Sequence, residues 1–240
     1  MSDTAQLEIM AEAGLLYGRK CSKTNPKMRR YIFASRKGIE IFDLEQTAVL
    51  LQKAIDFIKE LIAKGGKLLV VGTQPAAKEL VKNLAAKHGF FYVTERWLGG
   101  TLTNFKTISS RLQYLKKLKS DRDSGELNKY TKKEKLTLTK YIDRFDKFFI
   151  GFSEMQQLPE AVFIINPEEH LTAIREAKRL SIPIIALISS DGDPEPVTYP
   201  IPANANARLS IGWILDKIDA GLNQISNTQS SISNVNERTN

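Results

Sequence analysis

The sequence predicts an α/β protein in which a doubly wound parallel sheet is covered by helices on both faces. Continuous apolar segments at 67–73, 161–166 and 182–189 alternate with amphipathic helical segments. Strands that are apolar at every position are typical of a parallel sheet that is buried on both faces and joined by right-handed crossovers. Two long helical periods, at about 105–120 and 131–149, interrupt this alternation and predict an inserted antiparallel helical hairpin.

The N-terminal part precedes this alternation. Residues 4–13 predict a short helix, with Thr4 at its N-cap and Gly14 just past its end. Residues 15–30 have no sustained period and predict an extended basic loop. The segments YIFAS and IEIF then predict two short strands on either side of Arg36-Lys37-Gly38.

A long helix is predicted next. Asp43 lies three residues before Gln46, which is the spacing of a capping box. Apolar residues then recur every three or four positions as far as Ile62, which indicates one buried helix face. The pair Gly65-Gly66 ends the helix.

The remaining elements follow the strand–helix alternation. Pro75 suits the first position of a helix that follows the first buried strand, and FFYV is the next strand. A helix is predicted from Glu168 to about Leu180, TYPIP predicts an edge strand, and a last helix spans about 206–223. The chain is therefore divided into an α/β domain of residues 1–104 and 150–223, a hairpin of residues 105–149, and a tail of residues 224–240. The tail is rich in Ser, Asn and Thr and is expected to be disordered.

The positive charge is concentrated in two segments. The net charge is +8, and residues 13–37 contain eight bases and no acid, while residues 105–150 contain 13 bases and 6 acids. Clustered Lys and Arg side chains neutralise phosphates and release condensed counterions. Residues 13–37 therefore predict a polyanion partner, whereas residues 105–150 fit a polyanion contact and a solvated helix pair equally well.

Composition also excludes several classes of protein. No apolar run is long enough to predict a transmembrane helix, and the N-terminus has acids where a secretory signal would have bases. The single cysteine, Cys21, excludes an internal disulfide, and one cysteine with two histidines is too few for most zinc sites. A reducing cytosol is the simplest compartment.

Signals for catalysis are weak. The turn V-V-G-T-Q-P after a strand lacks both phosphate-loop patterns, and Pro75 removes one of the amides that a phosphate would use. Asp191, Asp193 and Glu195 follow a strand and are of the ligand type that binds Mg²⁺, but Asp-Gly-Asp-Pro is also a good turn sequence, which we favour. A phosphosugar- or nucleotide-binding enzyme that uses Gly72-Thr73 and Asp191 stays the alternative hypothesis.

Residues 95–104, E-R-W-L-G-G-T-L-T-N, form the most unusual stretch. One interpretation is a surface of backbone groups and Arg96 that docks on phosphate or sugar. The other is a packed elbow, with Trp97 in the core and Asn104 as the N-cap of the hairpin. Both hold together if a rigid elbow orients Arg96.

These motifs resemble the bacterial-type small-subunit ribosomal protein S2 family over roughly residues 7–218. The resemblance rests on four motifs, which are Asn25-Pro26-Lys27-Met28 with Ile32-Phe33, Arg96-Trp97-Leu98-Gly99-Gly100 with Leu102-Thr103-Asn104, Leu158-Pro159-Glu160-Ala161, and Ile182-Pro183. It implies a flavodoxin-like sheet with an inserted hairpin and binding to ribosomal RNA at the junction of the head and body. It also implies that the protein helps hold the large mRNA-binding ribosomal protein that has repeated OB domains.

Two departures from the family pattern weaken specific roles. The family's H-F-G-H motif is replaced here by Leu16-Tyr17-Gly18-Arg19, so a metal role at that place is not expected. The turn after the first buried strand usually has lysines, whereas this chain has Gln74-Pro75-Ala76-Ala77. RNA contact at this turn is accordingly not expected.

The predicted function is therefore that of a structural constituent of the cytoplasmic small ribosomal subunit, with an organellar ribosome as an open alternative. No catalytic group, metal, cofactor, membrane contact or homo-oligomer is expected. RNA would be recognised mainly by its shape. The predicted RNA-binding residues are Arg19, Lys20, Lys23, Asn25, Lys27, Arg29, Arg30, Arg36, Lys37, Arg96, Trp97, Asn104 and Lys106.

Overall fold

The computed structural model describes residues 3–236, with the side chains of residues 3–4, 128–129 and 224–236 left aside. The chain begins with helix α1 (Asp3–Glu12) and a three-stranded antiparallel sheet. The strands of this sheet are β1 (Tyr17–Lys20), β2 (Ile32–Arg36) and β3 (Ile39–Phe42), in the spatial order β1-β3-β2.

The prediction of an extended loop over residues 15–30 is wrong. This stretch contains β1 and two 3-10 turns, Cys21–Lys23 and Pro26–Tyr31. The side chain of Asn25 accepts a hydrogen bond of 3.0 Å from the Lys27 N–H and so caps the second turn. Pairing of β1 with β3, about twenty residues later in the chain, leaves no local period to detect.

Helix α2 (Leu44–Ala63) begins where predicted, after Asp43. An Asp43 carboxylate oxygen accepts a hydrogen bond of 3.1 Å from the Gln46 N–H. The reciprocal half of the predicted capping box is missing, because the Gln46 side-chain oxygen is buried with no hydrogen-bond partner among the described residues. Asp43 therefore acts as a simple N-cap.

The rest of the chain forms the α/β layers. The strands are β4 (Leu68–Val71), β5 (Phe91–Val93), β6 (Ala161–Ile165), β7 (Ile184–Ile188) and β8 (Tyr199–Pro202). The helices are α3 (Pro75–His88), α4 (Phe105–Asp123), α5 (Lys132–Phe149), α6 (Leu171–Arg179) and α7 (Arg208–Asn236). In α6 the helix starts three residues later than predicted, because Pro167–His170 forms a 3-10 turn.

The five later strands make one parallel sheet in the order β5-β4-β6-β7-β8. Numbered from the first of them, this is the order 2-1-3-4-5 of flavodoxin-like doubly wound sheets, which confirms the predicted fold class. Alternate residues of β4 enter different cores. Leu68 and Val70 pack with α2, α3 and α7, whereas Leu69 and Val71 pack with α6 and the hairpin.

Helices α4 and α5 form the inserted hairpin between β5 and β6. One face of α4 is buried through Ile108, Leu112, Leu115 and Leu118. In α5, Ile142 and Phe149 are buried, whereas Leu136, an apolar residue of the same helix, is exposed because it lies toward the distal end of the hairpin. The hairpin is therefore best packed near its base, where it joins the sheet domain.

Helix α7 extends further than the sequence predicts. A disordered tail is expected from Gln224, whereas the backbone is helical to Asn236. No proline or glycine follows Gly221 to end the helix. Residues 237–240 lie outside the described residues. No helix in the described part of the chain is long and apolar enough to cross a membrane.

Candidate nucleic-acid interface

The basic segment, residues 13–37, is fixed to the carboxyl end of β7. Ser190 follows this strand, and its hydroxyl accepts a hydrogen bond of 2.7 Å from the Arg19 N–H. The Ser190 carbonyl accepts another of 2.9 Å from the Asn25 N–H. A Cβ at Gly18 would lie 2.9 Å from the Ser190 hydroxyl, so glycine is needed for this close approach. The basic segment is therefore a docked sheet and not a free arm.

Two predicted RNA-binding bases form ion pairs within the chain. The Arg19 Nε lies 3.3 Å from Asp191 Oδ2, and its Nη2 donates to Asn206 Oδ1 at 3.0 Å. The Lys27 Nζ lies 3.0 Å from Asp193 Oδ2 and also contacts Glu195. Hydrogen bonds to Glu195 and Asp193 raise the pKa of Lys27 above its ordinary value. These bases hold the segment on the sheet domain.

The same contacts account for the acidic cluster after β7. The sequence leaves open whether Asp191 and Asp193 bind Mg²⁺. The structure pairs them with Arg19 and Lys27, and the part of the chain that it describes holds no group of three or more metal-ligating side chains. The turn interpretation therefore describes this segment, with its acids serving as anchors for bases.

All eight bases of the segment are exposed, and six of them remain besides Arg19 and Lys27. None of these six forms an ion pair with a residue that the structure describes, and Arg30 lies 4.7 Å from the centre of the Tyr31 ring, a cation–π contact. Tyr31 is itself buried, so it gives Arg30 a fixed support. These six bases are Lys20, Lys23, Arg29, Arg30, Arg36 and Lys37.

The elbow, residues 95–104, is organised around the buried carboxylate of Glu176 on α6. This group accepts hydrogen bonds from Trp97 Nε1 at 3.0 Å and from the N–H groups of Gly100 at 2.8 Å and Leu102 at 3.0 Å. The N–H and hydroxyl of Thr103 each donate to it at 3.2 Å. One carboxylate therefore fixes the backbone of the elbow at three N–H groups and also holds two of its side chains.

Electrostatics at Glu176 follow from these bonds. Burial alone would raise the pKa of this carboxyl group. The hydrogen bonds from Trp97 and from the three backbone amides outweigh burial, so the pKa of Glu176 lies below its ordinary value. Glu176 therefore stays a carboxylate at neutral pH.

The elbow presents only some of its predicted contact groups. Trp97 is buried and its N–H is taken by Glu176, so its ring offers no face to a nucleic acid. We therefore remove Trp97 from the predicted contact set and assign it to the packed elbow. Arg96, Asn104 and Lys106 are exposed. Asn104 occupies the N-cap position of α4, but its side chain makes no capping hydrogen bond.

The elbow and the basic segment both lie at the edge of the parallel sheet where the carboxyl ends of its strands meet. The elbow starts after the carboxyl end of β5, and the basic segment docks after the carboxyl end of β7. Three strand spacings separate these strands, which is about 14 Å. Exposed bases therefore flank the switch point between β4 and β6 from both sides.

The cleft at that switch point shows no catalytic arrangement. It has a volume of about 240 Å³ and is lined by Thr73, Arg96, His170 and Thr172 among others. Burial lowers the pKa of His170 and keeps the imidazole neutral. His88, the other histidine, lies 2.7 Å from Asp219 at the end of α3, where it fastens α3 to α7.

Sequence reasoning missed Glu176 and Ser190. Glu176 stands among Ala173, Ile174 and Ala177 on the buried face of α6, and an acid in such a position was the available signal. Ser190 gave no signal, because its partners Arg19 and Asn25 lie more than 160 residues away in the sequence.

The fold and the exposed bases define the class of protein, an α/β protein with a basic surface. Comparisons with known proteins identify the family. The model of the family described as Ribosomal protein S2 matches residues 10–224. The chain is 39% identical over 215 residues to small ribosomal subunit protein uS2 of Dehalococcoides mccartyi, covering 90% of this chain and 88% of that relative. It is 44% identical over 212 residues to uS2 of a Roseiflexus species, covering 88% and 81%.

The chain belongs to the ribosomal protein S2 family. It is a ribosomal protein of the small subunit and not an enzyme, so the alternative hypothesis of a phosphosugar- or nucleotide-binding enzyme is set aside. Its expected partners are accordingly ribosomal RNA and other ribosomal proteins.

Proposed function

We propose that the chain binds small-subunit ribosomal RNA at the junction of the head and body and helps dock the large OB-repeat mRNA-binding protein during translation. It acts as a single copy in a cytoplasmic subunit. The observation that carries the proposal is the set of six exposed bases that form no ion pair with a described residue, on a segment that Arg19, Lys27 and Ser190 hold in place.

Fixing the segment favours binding in a simple way. A basic loop that is free in solution loses conformational entropy when it binds, and this loss weakens the complex. Here the backbone hydrogen bonds to Ser190 and the ion pairs of Arg19 and Lys27 have already ordered it. Arg96, Asn104 and Lys106 extend the surface on the elbow side. The arrangement suits recognition of an RNA shape through its phosphates and sugars.

We assign the contacts with partner proteins to surfaces other than the basic segment and the elbow. Residues 151–240 contain 11 acids and 6 bases, a composition that favours a basic partner. Asp191, Asp193 and Glu195 are already engaged by the basic segment. In the hairpin, Lys117, Lys132 and Lys133 are exposed and extend the positive field, whereas Lys116 pairs with Glu154 at 2.9 Å.

Replacing Arg29 and Arg30 together by alanine is expected to weaken binding to small-subunit ribosomal RNA. The logarithm of the affinity falls as the logarithm of the salt concentration rises. Each lost phosphate contact makes this dependence less steep by about 0.7–0.9, because fewer counterions are released. The measurement is filter binding of the full chain over a series of salt concentrations.

The matched control removes two charges elsewhere. Lys53→Ala with Lys64→Ala, both exposed on the α2 side, makes the same change in net charge. This control is expected to keep the wild-type slope. An unchanged slope in the Arg29/Arg30 variant would take the basic segment out of the interface.

A further inference from the structure

The cleft at the switch point, here called the switch-point cleft, is lined by polar side chains. Arg96 and the hydroxyl of Thr172 form no hydrogen bond or ion pair with any residue that the structure describes. His170 is only 3% exposed, and its buried Nε2 atom also has no hydrogen-bond partner among the described residues. Most buried polar atoms of native proteins are hydrogen-bonded, so an unpartnered nitrogen in the wall of a cleft indicates a place where another molecule can supply the partner.

One carboxylate of the switch-point cleft is held in a fixed orientation. Glu169 Oε1 accepts hydrogen bonds from Gln74 Nε2 at 2.7 Å and from Asn166 Nδ2 at 3.4 Å. Gln74 and Asn166 are both buried and follow β4 and β6, so the ends of two sheet strands fix this carboxylate. The second oxygen, Oε2, accepts no hydrogen bond from a described residue. Glu169 therefore contributes one oriented acceptor to the wall of the cleft.

The charges of the cleft favour a neutral ligand over a phosphate. Glu95 also lines the cleft, but its carboxylate is paired with Lys78 at 2.8 Å. Among the described residues of the wall, the charges without an ion-pair partner are the carboxylate of Glu169 and the guanidinium of Arg96. Because one charge is negative and the other positive, a bare phosphate gains little net attraction. A neutral group that has N–H donors for Glu169 and acceptors for Arg96 satisfies both.

Guanine combines such donors and acceptors in one ring system. Its O6 and N7 atoms are the acceptor pair that arginine binds most often, and its N1–H and N2–H groups lie on the adjoining edge. Adenine has an amino group in place of O6, which would face the arginine as a second donor, and cytosine has only its amino group as a donor. The cleft has a volume of about 240 Å³, the size of a single base and not of a duplex. Unpaired bases of RNA are recognised through edge contacts of this kind.

We propose that the switch-point cleft binds one unpaired guanine base, whose N–H groups donate to Glu169 and whose O6 and N7 atoms accept from Arg96. The inference rests on the proposed function for the source of the base, which is an RNA strand held by the basic segment. That segment is joined to the cleft, because Asn206 Oδ1 accepts hydrogen bonds from Arg19 Nη2 at 3.0 Å and from Gln74 Nε2 at 3.3 Å. The cleft thus adds one base-specific contact to the recognition of phosphates and RNA shape.

The test measures binding of the full chain to RNA stem-loops that differ at one unpaired loop position. Wild type is expected to bind a guanine loop about tenfold more tightly than an adenine or cytosine loop, and to bind a 7-deazaguanine loop, which lacks N7, more weakly than guanine. In Glu169→Gln the side-chain oxygen stays with its two buried donors, so the new NH2 group faces the cleft and the preference for guanine is expected to be lost. Glu168→Gln, a change in the neighbouring exposed acid, is the matched control and keeps the preference. Arg96→Ala is expected to bind the guanine and 7-deazaguanine loops equally.

Equal affinity of wild type for all of these loops would overturn the inference. A guanine preference that survives in Glu169→Gln, or a sensitivity to N7 that survives in Arg96→Ala, would overturn it too. Each of these results leaves the proposed function to be decided by the salt dependence of the Arg29/Arg30 variant, which depends on charge and not on the loop base.

Two competitors, added at constant ionic strength, test the source and the type of the ligand. Guanosine 5′-monophosphate is expected to compete far more weakly than the guanine stem-loop. Competition by this nucleotide at a concentration equal to that of the stem-loop would overturn the assignment of the cleft to RNA. Inorganic phosphate is expected not to compete, and displacement of the guanine stem-loop by phosphate would overturn recognition of the base.

Discussion

Replacing Glu176 by alanine is expected to lower the free energy of unfolding by about 3–5 kcal/mol, because several buried donors lose their shared acceptor. The substitution leaves the N–H groups of Trp97 and Leu102 buried without an acceptor, and each such group costs about 1–3 kcal/mol. Urea denaturation followed by tryptophan fluorescence measures the loss.

The matched control for this prediction is Glu79→Ala, which removes an exposed carboxylate from α3. It is expected to change the free energy of unfolding by less than about 0.5 kcal/mol. A Glu176→Ala variant as stable as this control would show that the elbow holds its conformation without the carboxylate. Since Arg96 lies in this elbow, the unstable variant is also expected to bind RNA less tightly.

Stability at acid pH should report on the same group. The pKa of Glu176 is lower in the folded chain than its ordinary value of 4.5, so the unfolded state binds a proton at a higher pH than the folded state does. The contribution of Glu176 is therefore complete above the ordinary pKa and is lost as the pH falls through the lower folded value. The difference in unfolding free energy between wild type and Glu176→Gln is expected to be constant near neutral pH. It is expected to shrink as the pH falls below the ordinary pKa of a glutamate and through the lower pKa of Glu176 in the folded chain. A difference that grew with acidification would contradict the assigned pKa direction.

The parallel sheet could be predicted because its signal is local. Every residue of Leu68–Val71, Ala161–Ile165 and Ile184–Ile188 is buried, and an unbroken apolar run records burial on both faces directly in the sequence. The hairpin was equally visible, because Ile108, Leu112, Leu115 and Leu118 repeat with the helical period. In elements of this kind, the pattern of apolar residues shows directly which faces are buried.

The architecture of the interface could not be predicted in the same way. The bases of the basic segment could be counted, but the sequence did not show that Arg19 and Lys27 are paired with Asp191 and Asp193, which lie more than 160 residues away. Likewise, the sequence of the elbow is unusual, but the acceptor that organises it, Glu176, lies on α6. Pairing between distant segments depends on tertiary packing. A single sequence contains the residues that pair, but it does not show which residue pairs with which.

Gly151→Ala is expected to lower the free energy of unfolding by about 3 kcal/mol, at the upper end of the usual cost of overpacking a core. Gly151 is buried in the turn that follows α5, and a Cβ there would overlap the carbonyl oxygen of Tyr92 and lie 2.5 Å from its ring. Carbon atoms in contact are normally about 3.5–4.0 Å apart, so either the turn or β5 must move. Because β5 leads directly into the elbow, hydrogen exchange of β5 and elbow amides should accelerate along with the loss of stability.

Gly99→Ala provides the comparison within the same region. A Cβ at Gly99 would meet no other atom within 4 Å, and its φ is not in the left-handed region. Alanine at such a position restricts the unfolded chain without straining the folded one, so stability should be unchanged or slightly increased. If both variants unfolded at the same urea concentration, the base of the hairpin would not be pinned against β5. A loss confined to Gly151→Ala would instead show that this one close contact fixes both the hairpin and the strand from which the elbow begins.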